Sequence, residues 1–328
     1  MKILRAKGNS AFEISENETL SNDPSLIKVK ISFVCPTLSD LGLFNGKYNI
    51  EKPISPCHLA TGVISEDREE FGLKRGTKVI INPYIQNQRM AFGQEPQIYG
   101  VNEDGFLRDF VALPIENIIP YPEGVKENEA LYAEILAVGA SLVKSLNLSK
   151  GEYVVVLGAS VLTNLIAQLA SYYHAIPIVI SNNQKHNEIA KKCGIYYTID
   201  ESSEDVIQRV MNITGGRFAD YTVLHTVSGV TPHFLFSLAR RGGEARIVSL
   251  SDRLYKVIET NINLISKKQL TVKGISCGAD EFDNAINLLT LKTLNFQYFI
   301  DEYVDFNNAQ QLFENLSEDC HLFPVIKI

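Results

Sequence analysis

A turn with the residue types of a phosphate-binding loop lies at Gly158–Thr163, between a short apolar run and an amphipathic segment. The run before it, Tyr153–Leu157, is apolar and rich in valine, which predicts a strand buried on both faces. After the turn, apolar side chains recur at helical spacing, at Leu162, Leu165, Ile166, Leu169 and Tyr173. Strand, turn and helix in this order direct backbone N–H groups toward a site where a phosphate can be bound. We therefore predict the first βα unit of a dinucleotide-binding domain.

Two of the three glycines of the dinucleotide fingerprint G-x-G-x-x-G are replaced. The chain has Gly158, Ser160 and Thr163 at the three motif positions. The second glycine lets the backbone approach the pyrophosphate, and the third lets the helix pack closely on the strand. Ser160 adds a side chain at the ligand position, where its hydroxyl either bonds a phosphate oxygen or has a plain loop role. We expect any nucleotide to be bound along Gly158, Ser160 and Thr163.

The composition is that of an ordinary globular protein with a moderate negative charge. The chain of 328 residues is long enough for two domains, 45% hydrophobic and 21% charged, with a net charge of −7 and a pI near 5.5. The acidic balance argues against nucleic acid or an anionic membrane surface as a partner. No apolar run has the length of a membrane span, and Met1–Arg5 does not begin a signal peptide. We expect a cytoplasmic protein that acts on a small molecule.

The elements before the loop are predicted to be mainly strands. Alternating or β-branched runs predict strands at Leu26–Val34, Lys78–Ile81 and Asp104–Leu113. The segment Asn82–Asn102 is rich in Gln, Asn, Pro and Gly and predicts a loop. A helix is predicted from Glu127 to about Leu146.

From Tyr153 onward, strands and helices alternate. The predicted strands after Tyr153–Leu157 are Ile176–Ile180, Ile195–Ile199, Tyr221–Thr226, Ala245–Leu250 and Leu270–Ile275. The predicted helices after the first are Lys185–Cys193, Glu204–Ile213 and His233–Arg240. Six strands with intervening helices predict a doubly wound parallel sheet. The tail, with a helix at Phe282–Leu291 and a strand at Val325–Ile328, does not continue this alternation.

The whole length resembles the medium-chain dehydrogenase/reductase superfamily, which includes zinc alcohol, polyol and threonine dehydrogenases. Pro56–Val63 is similar to the family pattern P-G-H-E-x-x-G-V, and Ala133–Ala137 is similar to its E-P-L-A stretch. Further similar stretches are Val29–Cys35, Leu238–Gly243 and Leu270–Gly274. The resemblance implies an α/β protein in which a β-rich, GroES-like catalytic domain is split around a Rossmann domain. The implied bounds are 1–137 with 279–328 for the catalytic domain and 138–278 for the nucleotide-binding domain.

The resemblance also implies a catalytic site in the cleft between the domains. Carried over residue by residue, the family's zinc ligands are Cys35, His58 and Glu134, with one coordination position open to substrate. The family's proton-relay hydroxyl is Thr37. Zinc held in this way polarises an alcohol or carbonyl oxygen while hydride passes to or from a nicotinamide.

The chain departs from the family pattern at three places near these ligands. Leu59 replaces the acid that follows the histidine, and Cys57 replaces the glycine that precedes it. The stretch after Cys35 is about two residues longer than in the family, and a gap-free match from the other side places Ser39–Asp40 on the family Ser-Asp and Cys35 off the metal. The structural-zinc lobe is missing, because Asn82–Asn102 contains no cysteine.

The residue at the end of the second Rossmann strand bears on the choice of cofactor. An acid there holds the ribose hydroxyls of NAD in the family. The chain has Ser181 at this place, with Lys185 nearby, which tolerates the 2′-phosphate of NADP. NADP(H) is therefore favoured over NAD(H).

Three functions remain open at this point. The first is a zinc-assisted alcohol or polyol dehydrogenase, and the second is a zinc-free, NADPH-dependent enone or quinone reductase of the same superfamily. The third is a degenerate, non-catalytic member that serves as a binding or scaffolding protein. The resemblance also implies a homodimer or homotetramer, formed along the strand edge at Leu270–Cys277. We interpret His225 as a core or cleft residue, and Cys193, Cys277 and Cys320 as structural.

Overall fold

The computed structural model describes residues 1–47, 50–85, 97–225, 231–248, 259–316 and 323–328. The chain forms two compact units: the first contains Met1–Glu134 and Phe299–Ile328, and the second contains the described residues of Ile135–Leu250 and Tyr255–Tyr298. Among the residues described, no helix combines the length and apolar character that crossing a bilayer requires. Parts of four sequence predictions lie outside the described ranges: Thr226 and Ser249–Leu250 at the ends of two predicted strands, residues 86–96 of the predicted loop, and the cysteine interpreted as structural at Cys320.

Within these ranges the chain forms fifteen strands and ten α-helices. The strands are β1 (Ile3–Ala6), β2 (Phe12–Ser15), β3 (Ile27–Cys35), β4 (Leu59–Ile64), β5 (Lys78–Ile81), β6 (Phe110–Leu113), β7 (Ile118–Pro120), β8 (Tyr153–Leu157), β9 (Ile176–Ser181), β10 (Tyr197–Asp200), β11 (Ala219–His225), β12 (Ala239–Val248), β13 (Thr271–Ile275), β14 (Ile300–Asp305) and β15 (Phe323–Lys327). The helices are α1 (Leu38–Phe44), α2 (Glu127–Ala130), α3 (Ala133–Leu146), α4 (Val161–Tyr172), α5 (Gln184–Lys192), α6 (Val206–Ile213), α7 (Phe234–Ser237), α8 (Asn263–Lys268), α9 (Phe282–Thr290) and α10 (Ala309–Asn315).

The first unit is organised around the antiparallel pair β3 and β4. Ile27, Val29 and Ile31 alternate along β3 with more exposed residues, and all three lie in the core of the unit. The sheet runs in the order β14-β15-β3-β4-β5-β7, and β6 pairs with β3. A Cβ at Gly62 of β4 would lie 2.5 Å from the carbonyl oxygen of Lys30, so the two strands approach closely only because residue 62 is glycine. This pairing places the end of β3 opposite the start of β4, where the chain enters the strand from His58.

Two of the elements predicted for the first unit are shorter or interrupted. The predicted strand Asp104–Leu113 is reduced to β6, because the backbone N–H groups of Gly105 and Phe106 donate to carbonyls of the loop before β4, including that of Cys57 at 2.8 Å. The predicted helix from Glu127 to Leu146 is divided into α2 and α3. The first turn of α3 carries Glu134.

The second unit confirms the predicted doubly wound sheet. Its six parallel strands run in the order β10-β9-β8-β11-β12-β13, so the order reverses direction at β8, the strand that precedes the glycine turn. Val154–Leu157 of β8 are fully buried. The carboxyl ends of β8, β9 and β11 therefore form the edge of the sheet at which a nucleotide binds in such folds.

The prediction of a helix over His233–Arg240 is wrong for its second half. Helix α7 ends at Ser237, and residues from Ala239 onward belong to β12. The register between β11 and β12 shifts after Ala219↔Ala239, which accommodates Gly242 in the left-handed region at φ 71°. Gly242 and Gly243 therefore lie within a strand, at an irregularity of its pairing.

The boundaries between the two compact units lie at 134/135 and 298/299. The domain boundaries predicted from the sequence are 137/138 and 278/279. Residues 279–298 pack with the second unit through specific contacts. Glu281 is paired with Lys144 of α3, and the backbone of Asn295 exchanges hydrogen bonds of 2.7 and 3.1 Å with the side chain of Gln168 of α4. A Cβ at Gly278 would lie 2.4 Å from the backbone of Val138, so this segment contacts α3 directly.

Candidate functional site

His58 and Glu134 face each other in the interior of the first unit. The distance from His58 Nε2 to Glu134 Oε2 is 3.9 Å, and the two side chains are 2% and 3% exposed. Within the described ranges, three of their buried atoms have no hydrogen-bond partner: both ring nitrogens of His58 and Oε2 of Glu134. A buried polar atom without a partner carries a desolvation cost of about 1–3 kcal/mol, so three such atoms together indicate a place built for a ligand.

The second carboxylate oxygen of Glu134 is bonded to Tyr84. The Tyr84 hydroxyl donates to Oε1 over 2.8 Å, and Tyr84 is buried. The sequence reasoning missed this residue because it lies in a segment predicted only as a loop. The available signal was its place three residues after the buried strand β5, since polar side chains at strand ends commonly line sites.

A buried carboxylate, Asp40, fixes the backbone just before His58. Asp40 accepts hydrogen bonds from Thr37 N at 2.7 Å, from Thr37 Oγ1 at 2.8 Å and from Cys57 N at 2.6 Å. Cys57 has φ 70°, a left-handed conformation that favours glycine, which is the residue that the family pattern carries at this place. Burial raises the pKa of the Cys57 thiol well above its usual value, and the neighbouring Asp40 carboxylate adds to this. Cys57 is therefore a neutral thiol, and its role in the structure is to present His58.

Cys35 pairs across the sheet with Leu59, the residue that follows His58. Cys35 is the last residue of β3, and its thiol contacts the carbonyl oxygen of Pro36 at 3.9 Å. Across the described ranges, no three His, Cys, Asp or Glu side chains are grouped so that they could hold a metal ion. A catalytic zinc site needs three protein ligands, and the ligand roles of Cys35, His58 and Glu134 stay predictions.

Thr37 lies at the start of α1, where its hydroxyl is engaged within the chain. Its side chain and backbone N–H are both directed at Asp40, three residues on, as in a helix capping box. The relay role of Thr37 stays a prediction.

In the second unit, Ser160 and Thr163 satisfy each other at the start of α4. Thr163 N donates to Ser160 Oγ at 3.1 Å, and Ser160 N donates to Thr163 Oγ1 at 3.0 Å. Helix geometry leaves the N–H groups of Val161 and Leu162 without an intrahelical acceptor. Gly158 has φ 127°, which explains why this glycine of the fingerprint is the one retained. The turn keeps a cradle of two N–H groups that fits a phosphate.

Two buried histidines converge on Ser160. His225, the last residue of β11, has Nδ1 3.1 Å from Ser160 Oγ, and His186 Nε2 donates to the Ser160 carbonyl oxygen over 3.0 Å. His225 is therefore a buried residue at the carboxyl end of β11 that contacts the glycine turn. His186 was missed, because nothing in its local sequence distinguishes it from a solvated helix residue.

The turn after β9 is held by neutral side chains. Ser181 is buried, accepts from Asn183 N at 3.1 Å and lies 3.2 Å from Asn187 Oδ1. Lys185 is exposed in the first turn of α5. Ser181 and Lys185 therefore lie four residues apart at the end of β9. The hydroxyl of Ser181 forms hydrogen bonds within the turn.

Comparisons with known proteins match both units. The alcohol dehydrogenase GroES-like domain family matches residues 21–123, and the zinc-binding dehydrogenase family matches residues 162–290. An uncharacterised zinc-type alcohol dehydrogenase-like protein of Haemophilus influenzae is 26% identical over 319 residues, covering 93% of this chain and 91% of the relative. Sorbitol dehydrogenase of Halalkalibacterium halodurans is 27% identical over 310 residues, covering 90% of this chain and 89% of the relative.

Solved structures share the fold over the full length. A zinc-binding dehydrogenase structure from Sinorhizobium meliloti 1021, bound to NADP, superimposes with a TM-score of 0.88 and 18% identity, covering 100% of this chain and 99% of the other. At this identity the likeness shows the fold.

Proposed function

The chain belongs to the medium-chain dehydrogenase/reductase superfamily, as a zinc-type alcohol dehydrogenase-like oxidoreductase, and on this premise we propose that it transfers hydride between NAD(P)(H) and an alcohol or polyol, or the matching carbonyl. The observation that carries the proposal is the buried His58–Glu134 pair, whose facing atoms lack hydrogen-bond partners within the described ranges. A substrate hydroxyl could donate to Glu134 Oε2 and accept from a ring N–H of His58, whereas a carbonyl oxygen could only accept from His58, so the pair is suited to bind and orient either group.

The second unit supplies the groups for the cofactor. The two N–H groups at the start of α4 would hold the pyrophosphate, and the Ser160–Thr163 pair keeps that turn in shape. When bound, the nicotinamide supplies or accepts the hydride, and the chain's own residues bind and orient it.

NADP(H) is the cofactor that the chain favours in this proposal. A carboxylate at Ser181 would repel a 2′-phosphate, and the chain has a neutral hydroxyl there and a lysine four residues on. The Sinorhizobium structure bound to NADP supports a nicotinamide cofactor in general. We expect fluorescence titration to give a lower Kd for NADPH than for NADH, and Lys185→Glu to remove most of the difference. Equal affinities in the unaltered protein would contradict the choice of cofactor.

The activity itself is tested by one pair of variants. With NADP and a panel of polyols and secondary alcohols, and with NADPH and the matching ketones, we expect His58→Asn to lose at least about 100-fold in kcat/KM, since a positioned polar contact to the reacting oxygen is removed. His174→Asn is the matched control, because His174 is exposed and its φ of 63° is a conformation that asparagine tolerates. Equal activity in the two variants would refute the role of His58.

A second candidate is the zinc-free reduction of enones or quinones with NADPH. It is supported by the finding that, among the described residues, no three His, Cys, Asp or Glu side chains are grouped so that they could hold a metal ion. Metal analysis of protein purified without chelator separates the two: about one zinc per chain supports the zinc-assisted reaction, and none supports the zinc-free reaction. Failure of both NADPH and NADH to bind would instead support a non-catalytic binding protein.

Assembly is a separate proposal, that of a homodimer or homotetramer formed through β13. This strand is at the edge of the six-stranded sheet, and Thr271–Gly274 are exposed along it. Light scattering would measure the mass in solution, and a monomer would remove the proposal.

A further inference from the structure

The phenol of Tyr84 determines which oxygen of Glu134 can meet His58. Its hydroxyl donates to Oε1 over 2.8 Å, while Oε2 lies 3.9 Å from His58 Nε2. A glutamate side chain has three rotatable bonds, so burial alone does not fix the direction of its carboxylate. A hydrogen bond to one oxygen does fix it, and the other oxygen then points in a defined direction.

The backbone of Tyr84 is itself held by two buried asparagines. Asn117 Nδ2 donates to the carbonyl oxygens of Asn82 at 2.7 Å and of Tyr84 at 2.8 Å, and Tyr84 N donates to Asn82 Oδ1 at 3.1 Å. Asn82 N in turn donates to the Asn117 carbonyl oxygen at 2.9 Å. Asn117 is 1% exposed and Asn82 is 5% exposed. The segment after β5 therefore holds Tyr84 rigidly enough for its hydroxyl to act as a fixed donor.

We propose that Tyr84 is a positioning residue of the site: through its hydroxyl it holds Glu134 so that Oε2 faces His58, and Asn117 holds Tyr84 in turn. This role rests on the proposed function of the His58–Glu134 pair. Tyr84 acts through Glu134 and has no direct contact with substrate in this proposal. The alternative is that Tyr84 only fills space in the core, in which case its ring matters and its hydroxyl does not.

Tyr84→Phe separates these two roles, because it removes the hydroxyl and keeps the ring. Tyr99→Phe is the matched control: Tyr99 is a partly buried tyrosine next to the Tyr84↔Ile98 bridge, and its ring packs on Phe106. We expect kcat to fall about tenfold in Tyr84→Phe, the size of effect that loss of one hydrogen bond to a charged group allows. The KM for NADPH should remain within about twofold, and Tyr99→Phe should leave both parameters unchanged.

A second readout does not depend on enzyme activity. The ring ¹⁵N resonances of His58, assigned by comparison with His58→Asn, should shift in Tyr84→Phe and stay in place in Tyr99→Phe. In a Glu134→Ala background, Tyr84→Phe should cause no further shift, because the residue through which Tyr84 acts is gone. If Glu134→Ala does not fold by circular dichroism, Asn117→Ala replaces it, and this variant should shift the His58 resonances in the same direction as Tyr84→Phe.

The outcomes are distinguishable. Unchanged His58 resonances in Tyr84→Phe overturn the proposal, and so does an equal shift with and without Glu134. If the unaltered protein transfers no hydride but the resonances shift as expected, the positioning by Tyr84 stands and the proposed function fails.

Discussion

Replacing Asp40 with asparagine should destabilise the first unit far more than its small change in shape suggests. The carboxylate accepts three hydrogen bonds, from Thr37 N, Thr37 Oγ1 and Cys57 N, and it is 1% exposed. An amide has a single acceptor oxygen. If that oxygen stays with Thr37, the amide NH₂ meets the Cys57 N–H, and a buried donor is left without an acceptor. A hydrogen bond to a charged group contributes about 1.5–3 kcal/mol, and an unsatisfied buried donor costs about 1–3 kcal/mol. We therefore expect Asp40→Asn to lower the free energy of unfolding by about 2–4 kcal/mol.

Urea unfolding followed by circular dichroism measures this loss of stability. The unfolding transition of the first unit has to be separated from that of the second unit before the free energy is calculated. Asp67→Asn is the matched control, because exposed Asp67 also accepts a backbone N–H bond, from Arg75 at 2.7 Å. Water replaces that bond, so the control should stay within about 0.5 kcal/mol of the unaltered protein. Asp40→Asn should also lower activity, because Cys57 directly precedes His58. A loss no larger than that of the control would refute the reasoning that Asp40 holds the site.

Three further perturbations follow from local contacts. Ser160→Ala removes the N-cap of α4 and should lower the free energy of unfolding by about 1 kcal/mol, measured by thermal or urea unfolding. It should also weaken the binding of NADPH. Unchanged stability would show that Thr163 alone caps the helix. Gly62→Ala places a Cβ 2.5 Å from a backbone oxygen of β3 and should prevent folding of the first unit. The yield of protein and its circular dichroism measure this effect. A normally folded variant would show that β3 and β4 can separate. Arg5→Met tests pH dependence through Asp104: burial acts to raise the pKa of this carboxyl, but its hydrogen bonds to Arg5 and to a backbone N–H outweigh burial and leave the pKa below its ordinary value. A depressed pKa in the folded state gives stability that is present above the unfolded value, near pH 4, and is lost as the pH falls through the folded value. The variant lacks this contribution already at pH 7, so its urea midpoint should lie below that of the unaltered protein at pH 7, and the difference should shrink as the pH falls to 3. Parallel curves would contradict this.

The fold was predictable because the periodicity of its buried faces is local. Val-rich runs such as that of β8 and the helical spacing of α4 depend only on neighbouring residues, and a doubly wound parallel sheet follows from their alternation. The error at α7 has the opposite origin, because contacts between strands decide the structure there. Arg240–Gly243 has the composition of a helix end, but pairing of β12 with β11 and β13 draws the segment into the sheet. Tertiary pairing overrides local preference there.

The candidate site was less predictable because its contacts join residues that are far apart in the chain. His58 and Glu134 were placed together only through the family resemblance, and nothing in their own neighbourhoods indicates a pair 3.9 Å apart. Tyr84 contacts Glu134 across 50 residues, and Asp40 contacts Cys57 across 17. Side chains that position others by such contacts leave no periodic signal in the sequence.

The replaced glycines of the phosphate loop show how an altered motif can keep its geometry. Glycine at positions 160 and 163 would leave four N–H groups at the start of α4 open to a ligand, whereas Ser160 and Thr163 use two of these groups to bond each other. Their exchange makes the turn rigid before any ligand arrives and reduces the donors available to a phosphate. His186 and His225 then hold Ser160 from two further elements, so the turn cannot easily open to recover the missing donors. In the proposed function, the pyrophosphate would therefore be bound by two N–H groups in a fixed turn, and a fixed turn lowers the entropy that binding costs. On this proposal the replaced glycines would change how the cofactor is held and would keep the place where it is held.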